Sequence, residues 1–306
     1  MAFGGEHGVR IGLSAVVMAL RDRRLVVLTT QEPGSETAAL PFGPFDPVKD
    51  RTFELSLRAF VTAQTGFRLG FVEQLYTFGD AGRESPQPTP GPMRQREVSV
   101  GYLALTRDAA SAPAPDAAWT PILDIFPWED RRGPASDDLA QALRDWCAGD
   151  PKRCVRAETL FALAPGHRWN EERVLERYEL LFEAGLVAEA GAPTTGAPGL
   201  AMASDHRRIL ATGLGRLRSK LKYRPVLFEL TPETFTLSEL QAGAEAVAGL
   251  TLHKQNFRRG VERTGLVEAT GRLATGTGGR PAERFRFTGA DPQGGQAPGL
   301  PLPAQR

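Results

Sequence analysis

Residues 236–287 read TLSELQAGAEAVAGLTLHKQNFRRGVERTGLVEATGRLATGTGGRPAERFRF, and this stretch decides the fold of the C-terminal part of the chain. Thr236 and Glu239 have the spacing of a capping box, in which each side chain accepts the backbone N–H of the other residue. A helix is therefore predicted to begin at Leu237. Gly249 is predicted to end it, because glycine readily adopts the left-handed conformation of a helix C-terminus.

A second helix is predicted over residues 252–263, with Thr251 as its N-cap and Gly265 as its C-terminal stop. A stretch rich in glycine and threonine follows, and then the alternating sequence RPAERFRF, so a β-hairpin should complete the module. Two short helices and a hairpin are the layout of a winged helix-turn-helix. Such a module usually places its second helix in the major groove of DNA.

The outward face of the second helix carries the residue types that DNA recognition needs. Asn and Gln can bond both groups of an adenine edge, and Arg can bond guanine or hold phosphate. The candidate DNA-binding residues, including the start of the first helix and the predicted wing, are Thr236, Ser238, His253, Lys254, Gln255, Asn256, Arg258, Arg259, Arg263, Arg272 and Arg280.

The charge distribution favours the same interpretation. The whole chain has a formal net charge of +1, but residues 204–287 hold 15 Lys and Arg against 8 Asp and Glu, a net charge of +7. A basic segment in an otherwise acidic chain favours a polyanionic partner for that segment alone. The alternative is a winged helix that binds another protein and whose charged face is merely solvated.

The N-terminal part has the patterns of a sheet with a helix. Residues 9–20 and 24–30 are predicted strands, because they are rich in β-branched and apolar residues. An amphipathic helix is predicted over residues 52–64, ending at Gly66. Two further strands are predicted on either side of a loop rich in proline and glycine at residues 80–96.

The middle of the chain, residues 136–190, has helical periodicity, and a long amphipathic helix is predicted over residues 205–222. The apolar seam of the long helix consists of Leu210, Leu214, Leu217 and Leu221. The basic residues predicted to lie mostly off this seam are Arg207, Arg208, Arg218 and Lys222.

Cys147 and Cys154 have no companion cluster of His or Cys, and they are predicted to be reduced structural thiols. The apolar run at residues 9–20 is far shorter than the ~20 residues that span a bilayer, and it lacks the marks of a signal peptide. A cytoplasmic location is expected by default.

Residues 40–67, LPFGPFDPVKDRTFELSLRAFVTAQTGF, resemble a degenerate Nudix box. In that motif, carboxylates hold divalent cations against a diphosphate. The resemblance aligns Phe60, Ala63 and Gln64 with glutamates of the motif, and Arg51 with the glutamate upstream. The resemblance therefore implies no metal site, no catalytic residue and no cofactor.

Further segments extend the resemblance. FVEQLYTFGDAGR at residues 71–83 and REVSVGYLAL at residues 96–105, with HKQNFRR and GRPAERFRF near the C-terminus, are similar to the Nudix-related transcriptional regulators of NAD metabolism in bacteria. The resemblance covers residues 9–128 and 204–287. The helical insert at residues 136–200 departs from the shorter regulators and is typical of the longer, divergent branch.

The resemblance implies a Nudix-like domain that binds NAD or ADP-ribose without cutting it. Arg51, Asp80, Arg83 and Arg96 are the candidate effector-binding residues, because Arg suits phosphate and Asp suits a ribose hydroxyl. The whole protein is expected to be a homodimeric transcriptional repressor of NAD biosynthesis genes that binds a double-stranded DNA operator and no membrane. The leading alternative is an enzyme, a Nudix-type nucleotide pyrophosphatase with displaced metal ligands.

The predicted fold class is α+β. A Nudix-like α/β/α sandwich with a mixed sheet is expected over residues 1–130, and a helical insert and linker over residues 131–200. A linking helix and a C-terminal winged helix-turn-helix are expected over residues 201–290, and a disordered tail over residues 291–306.

Overall fold

The structure is a computed structural model, and it describes one chain with several gaps. The described residues are 8–31, 37–70, 72–80, 96–107, 109, 114–134, 136–191, 198–274 and 281–289. The predicted disordered tail at residues 291–306 lies outside them. Within the described ranges, no helix combines the length and the apolar character needed to cross a bilayer.

The N-terminal part forms one mixed sheet. Its strands are β1 (Val9–Arg21), β2 (Arg24–Gln31), β3 (Ala38–Ala39), β4 (Phe42–Pro44), β5 (Val72–Phe78), β6 (Arg96–Thr106) and β7 (Ala117–Pro121). The strand order is β3-β2-β1-β6-β5, with β4 added to β1 and β7 added to β2. Strands β1 and β6 run parallel, whereas β5 pairs with β6 in the antiparallel sense. The predicted mixed sheet is confirmed.

Helices cover both faces of this sheet. The helices are α1 (Phe53–Thr65), α2 (Ile122–Ile125), α3 (Asp137–Cys147), α4 (Pro151–Phe161), α5 (Val174–Glu183), α6 (His206–Leu221), α7 (Leu237–Ala248) and α8 (Lys254–Thr264). Alternate residues of β1 enter different cores, as the period of a strand requires. Ala15 and Val17 pack with Leu57 of α1, whereas Val16 and Met18 pack on the face that α6 covers. The predicted α/β/α sandwich is confirmed.

The helical insert contains a disulfide. Cys147 ends α3 and Cys154 lies in α4, and their Cα atoms are 5.0 Å apart in the disulfide that joins them. The prediction of reduced thiols is therefore wrong. The reason is the short connection between the helices, in which Gly149 has a φ of +85° and turns α4 back against the end of α3.

The long helix, α6, confirms the predicted seam but not the position of all its basic residues. The seam leucines, Leu210, Leu214, Leu217 and Leu221, are fully buried. Arg207 and Arg218 are also fully buried, so the prediction that they lie off the seam is wrong. The reason is that α6 is covered on several sides. In the interior, Arg207 forms an ion pair with Glu189 and Arg218 forms an ion pair with Glu129.

The C-terminal part is a winged helix. Helices α7 and α8 pack with a three-stranded sheet of β8 (Thr234–Phe235), β10 (Ala282–Phe287) and β9 (Val267–Ala274), in that order. The capping box of Thr236 and Glu239 is present, and Gly249 and Gly265 end the two helices in the left-handed conformation. The predicted winged helix-turn-helix is confirmed.

The second helix of the module begins later than predicted. His253, not Thr251, occupies the N-cap of α8, and its side chain makes no capping hydrogen bond. The preceding residue is tied to α7, because the Leu252 amide donates to the Glu245 carboxylate at 2.9 Å and its carbonyl accepts from Gln241 at 2.9 Å. These two bonds hold residue 252 outside the helix.

The hydrophobic core on the α6 side of the sheet continues into the insert and the winged helix. The same cluster of buried side chains contains Val16 in the sheet, Tyr178 in the insert, Leu217 in α6 and Phe257 in α8. The N-terminal sheet, the insert and the winged helix therefore share buried side chains.

Candidate nucleic-acid interface and nucleotide site

The helix α8 presents one apolar face inward and a polar face outward. Phe257 and Val261 are fully buried at a spacing of four residues, which fixes the rotation of the helix about its axis. The exposed residues of the outward face are His253, Lys254, Gln255, Asn256, Arg259 and Arg263. Lys254, Gln255 and Arg263 make no hydrogen bond or ion pair with any described residue, so their side chains are available to a ligand.

Two contacts position the remaining basic residues of α8. Arg259 donates to the Asn256 amide oxygen at 2.9 Å, which joins two exposed side chains on one surface. Arg258 donates to the Ser238 hydroxyl at 3.1 Å. Because Ser238 lies in the first turn of α7, this bond connects the beginnings of the two helices.

The remaining predicted DNA-binding residues are Thr236, Arg272 and Arg280. Thr236 is buried, and its hydroxyl accepts the Glu239 amide at 3.1 Å, so the side chain caps α7 instead of lying on the surface. Arg272 is exposed on β9, as expected for a wing. Arg280 lies outside the described residues.

The helix α1 lies in the segment that resembles a Nudix box, but its side chains do not fit a divalent cation. Thr52 caps the helix, and Gly66 ends it in the left-handed conformation, as predicted. Phe60 packs against Gly43, where a Cβ atom would meet the Phe60 ring at 3.0 Å. Gln64 donates to the Phe42 carbonyl at 2.6 Å and accepts the Phe42 amide at 3.2 Å. Phe60 and Gln64, which the resemblance aligns with glutamates of the Nudix box, thus connect α1 to β4.

The nearby carboxylates have other partners. Glu54 accepts two hydrogen bonds from Arg58, at 2.7 and 2.9 Å. Asp50 accepts the Asp46 amide at 2.9 Å and the Ser56 hydroxyl at 2.8 Å. Among the described residues, no group of three or more His, Cys, Asp or Glu side chains could hold a metal ion. This donor set does not suit Mg²⁺, which binds through carboxylates and water.

The candidate effector-binding residues are only partly described. Arg51 is exposed just before α1. Asp80 follows β5, and its carboxylate pairs with Arg208 of α6. Arg96 begins β6, and the strand registers place it at the same end of the β5–β6 pair as Asp80. Arg83 lies outside the described residues.

A buried ionic cluster was not predicted from the sequence. Both carboxylate oxygens of Glu129 accept hydrogen bonds from the Arg177 guanidinium, at 2.6 and 2.8 Å, and one of them also accepts a hydrogen bond from Arg218. All three side chains are fully buried. Burial alone would raise the pKa of Glu129, but the two guanidinium charges lower it below its usual value. A signal existed, because Arg177 and Arg218 each fall at a helical spacing that places them on an apolar seam.

The cluster lies against the turn between the two helices of the winged helix. Arg218 donates to the Val247 carbonyl at 2.8 Å, near the end of α7. Gly249 has a φ of +68°, and a Cβ atom there would lie 2.2 Å from the Glu129 carbonyl oxygen. The Arg131 amide donates to the Gly249 carbonyl at 2.7 Å. The ionic cluster therefore connects the N-terminal sheet and the insert with the segment that leads into α8.

Comparison with known families decides the nature of the C-terminal module. Residues 227–287 match the family model of the NrtR DNA-binding winged helix domain. The C-terminal module is similar to the DNA-binding domain of NrtR proteins. A similar curated protein, the ADPR responsive transcriptional repressor NtrR of Acinetobacter baylyi, is 39% identical over 88 residues, which are 29% of this chain. The match spans only 35% of the length of that relative.

Solved structures share the fold over most of the chain. NrtR of Shewanella oneidensis in complex with a 27mer DNA has a TM-score of 0.53 at 22% identity, covering 90% of this chain and 93% of the other. A MutT/nudix family protein from Enterococcus faecalis has a TM-score of 0.53 at 16% identity, covering 94% of this chain and 89% of the other. The predicted resemblance to Nudix-related proteins of the NrtR type, and the predicted fold class, are confirmed.

Proposed function

We propose that this protein is a DNA-binding transcriptional repressor in which α8 is the recognition helix. In this proposal the Nudix-like domain binds an NAD-related nucleotide, ADP-ribose or NAD, and does not hydrolyse it. The observation that supports the proposal most strongly is the outward face of α8, where Lys254, Gln255 and Arg263 have no partner among the described residues. Phe257 and Val261 fix this face of the helix outward.

The chemistry of this face suits duplex DNA. Gln255 and Asn256 lie in the first turn of α8, and this end of a recognition helix contacts base edges in helix-turn-helix modules. Their amides can bond adenine bidentately, and Lys254, Arg259 and Arg263 can bond guanine or phosphate. The NrtR of Shewanella oneidensis, which shares the fold, has been solved with DNA.

The chemistry of the Nudix-like domain suits binding without cleavage. Hydrolysis in Nudix enzymes requires carboxylates that hold metal ions against the diphosphate. Here Phe60 and Gln64 stand at two of those positions and make structural contacts. The Acinetobacter relative is named as responsive to ADPR, which supports ADP-ribose as the first nucleotide to test.

Further parts of the proposal concern the assembly and the target. A homodimer would bind a palindromic operator, because the two-fold symmetry of a dimer matches that of its site. We propose that the protein is cytoplasmic and that its operator lies upstream of NAD biosynthesis genes. The bound nucleotide would then signal the level of the product of those genes.

The test is binding of the full-length protein to a duplex that it has itself selected from random sequence. We expect affinity to fall steeply as salt rises, because phosphate contacts release counterions. Asn256→Ala should relax sequence preference at one position by about 1–3 kcal/mol. Arg259→Ala should also weaken binding, and Arg144→Ala, which removes an exposed arginine from α3, should leave it unchanged.

Two outcomes would oppose this proposal. Affinity that does not depend on salt, or selection of no DNA at all, would favour a winged helix that binds protein. Sustained conversion of ADP-ribose to AMP in the presence of Mg²⁺ or Mn²⁺ would favour the pyrophosphatase.

A further inference from the structure

We propose that Cys147 and Cys154 form a thiol–disulfide exchange site, at which a small disulfide of the glutathione class oxidises the two thiols and the matching thiol reduces them. The pair joins the end of α3 to the beginning of α4 in the helical insert. The choice of exchange partner rests on the proposed function, because a DNA-binding regulator works in the cytoplasm. Disulfides are rare there, and those that form are usually redox-sensing or catalytic.

The two cysteines differ in their access to solvent. Cys147 is the last residue of α3 and only 5% of it is exposed, whereas Cys154, the fourth residue of α4, is partly exposed. A dissolved disulfide therefore reaches Cys154 more readily than Cys147. This difference makes Cys154 the residue that exchanges with the small molecule and Cys147 the residue that closes the internal disulfide.

The beginning of α4 favours the thiolate of Cys154, which is the nucleophile in thiol–disulfide exchange. The N-terminus of a helix carries partial positive charge. Residues 150–158 also hold three basic and two acidic side chains, a net charge of +1. Of the two acids, Asp150 caps α4 through the amides of its first turn, and its carboxylate pairs with Arg153 at 3.5 Å.

The surroundings of the pair also suit its reduced form. The Cys147 Sγ lies 3.5 Å from the Arg144 carbonyl oxygen, and the Cys154 Sγ lies 3.0 Å from the Cys147 carbonyl oxygen. A disulfide sulfur has no proton to donate, whereas each thiol has one. Both thiols therefore have an acceptor within reach after reduction, so the protein can hold the pair in either state.

The exchange conserves atoms and electrons and passes through one mixed disulfide. In oxidation, the Cys154 thiolate attacks a sulfur of the small disulfide, forms the mixed disulfide and releases one small thiolate. The Cys147 thiolate then attacks the Cys154 sulfur, forms the internal disulfide and releases the second small thiolate. Two electrons pass from the protein to the small disulfide, and the two thiol protons of the protein end on the two small thiols. Reduction runs the same steps backward.

The disulfide restrains α3. Among the helices and strands, α3 packs chiefly against α4, and Leu143 is its fully buried contribution to the core. The covalent bond links the last residue of α3 to α4, so α3 loses conformational freedom when the bond forms. We expect reduction to raise the rate of amide hydrogen exchange in α3 at least about threefold. The rate in α1, which lies on the other face of the sheet, should not change.

The test is incubation of the reduced full-length protein with glutathione disulfide, followed by mass spectrometry of its peptides. In the wild type we expect both thiols to be lost to an internal disulfide, which excess reduced glutathione opens again. Cys147→Ser should stop at a mixed disulfide on Cys154, because the second thiol is absent. Cys154→Ser should react at least about tenfold more slowly than Cys147→Ser, because only the buried thiol remains.

The control is the double variant with serine at both positions, in which amide exchange of α3 should be the same with and without reductant. The proposal is overturned if the wild-type thiols stay free in glutathione disulfide, if reduced glutathione does not open the bond, or if reduction leaves α3 unchanged. Equal reactivity of the two single variants would overturn the assigned roles. The wild-type measurements decide the question even if a variant does not fold. They use neither DNA nor nucleotide, so failure of the DNA-binding proposal is a separate result.

Discussion

Single residues in the interior of this protein carry charge. One carboxylate, Glu129, stabilises the guanidinium groups of Arg177 and Arg218. Backbone carbonyls accept further hydrogen bonds from both groups. Removing the carboxylate would leave two cations buried without a counterion. Such unpaired buried charges would destabilise the packing of the insert against the rest of the molecule.

Glu129→Gln should lower the free energy of unfolding by about 3–5 kcal/mol, because breaking a buried ion pair leaves an uncompensated charge. Urea denaturation of the wild type and the variant measures this difference. Glu176→Gln removes an exposed carboxylate of α5 and should change stability by less than about 0.5 kcal/mol. Equal stabilities of Glu129→Gln and wild type would mean that the cluster contributes nothing.

His206 makes stability depend on pH. The side chain is buried at the start of α6, its Nδ1 accepts the Leu40 amide at 3.1 Å, and the Phe42 ring lies at 4.8 Å. Burial lowers the pKa of His206 from 6.5 to about 4. Because the unfolded chain then binds the proton more tightly than the folded one, stability is lost as the pH falls below 6.5.

Between about pH 8 and pH 5, this histidine should remove about 2 kcal/mol of stability. Denaturation of His206→Asn across the same range should show a shallower loss, since the amide oxygen can accept the Leu40 N–H without titrating. A pH dependence identical to that of the wild type would show that His206 does not titrate as proposed.

At the scale of elements, the sequence predicted those helix ends that neighbouring residues determine. The ends of α1 at Thr52 and Gly66, and the capping box of α7, follow from a few neighbouring residues. The start of α8 could not be predicted, because Gln241 and Glu245 of another helix hold Leu252 outside it. The disulfide likewise depends on how α3 and α4 pack, which sequence spacing does not specify. For the buried arginines, the helical spacing places Arg177 and Arg218 on apolar seams, but it does not identify Glu129 as their partner.

In the candidate DNA-binding site, too, the sequence predicted the features that depend on local periodicity and missed a feature that depends on a specific contact. The outward face of α8 followed from its periodicity, and the candidates His253, Lys254, Gln255, Asn256, Arg259 and Arg263 are exposed there. Thr236 is not, because its hydroxyl is used in the cap.

Thr236→Ala should cost about 1 kcal/mol of stability through loss of the N-cap. Thr236→Ser should keep both the cap and the affinity for DNA, because it retains the hydroxyl. Thermal unfolding and DNA titration of the two variants test this. If Thr236→Ala kept full stability but lost DNA affinity, Thr236 would be a direct contact after all.

At the scale of the whole molecule, the sheet and the winged helix share one core. Helix α6 contacts the sheet, α5 and α7, and the Glu129 cluster lies against the turn before α8. A change in the Nudix-like domain can therefore reach α8 through packed side chains. This arrangement underlies the proposed link between nucleotide and DNA.

The most direct test of that link is the affinity of the full-length protein for its selected duplex, measured by fluorescence anisotropy while ADP-ribose is added in the presence of Mg²⁺. We predict that the affinity changes by at least about fivefold with a saturable dependence on the nucleotide, and that the ADP-ribose is recovered intact. An affinity that stays constant at every concentration of ADP-ribose, or conversion of the nucleotide to AMP, would contradict the account.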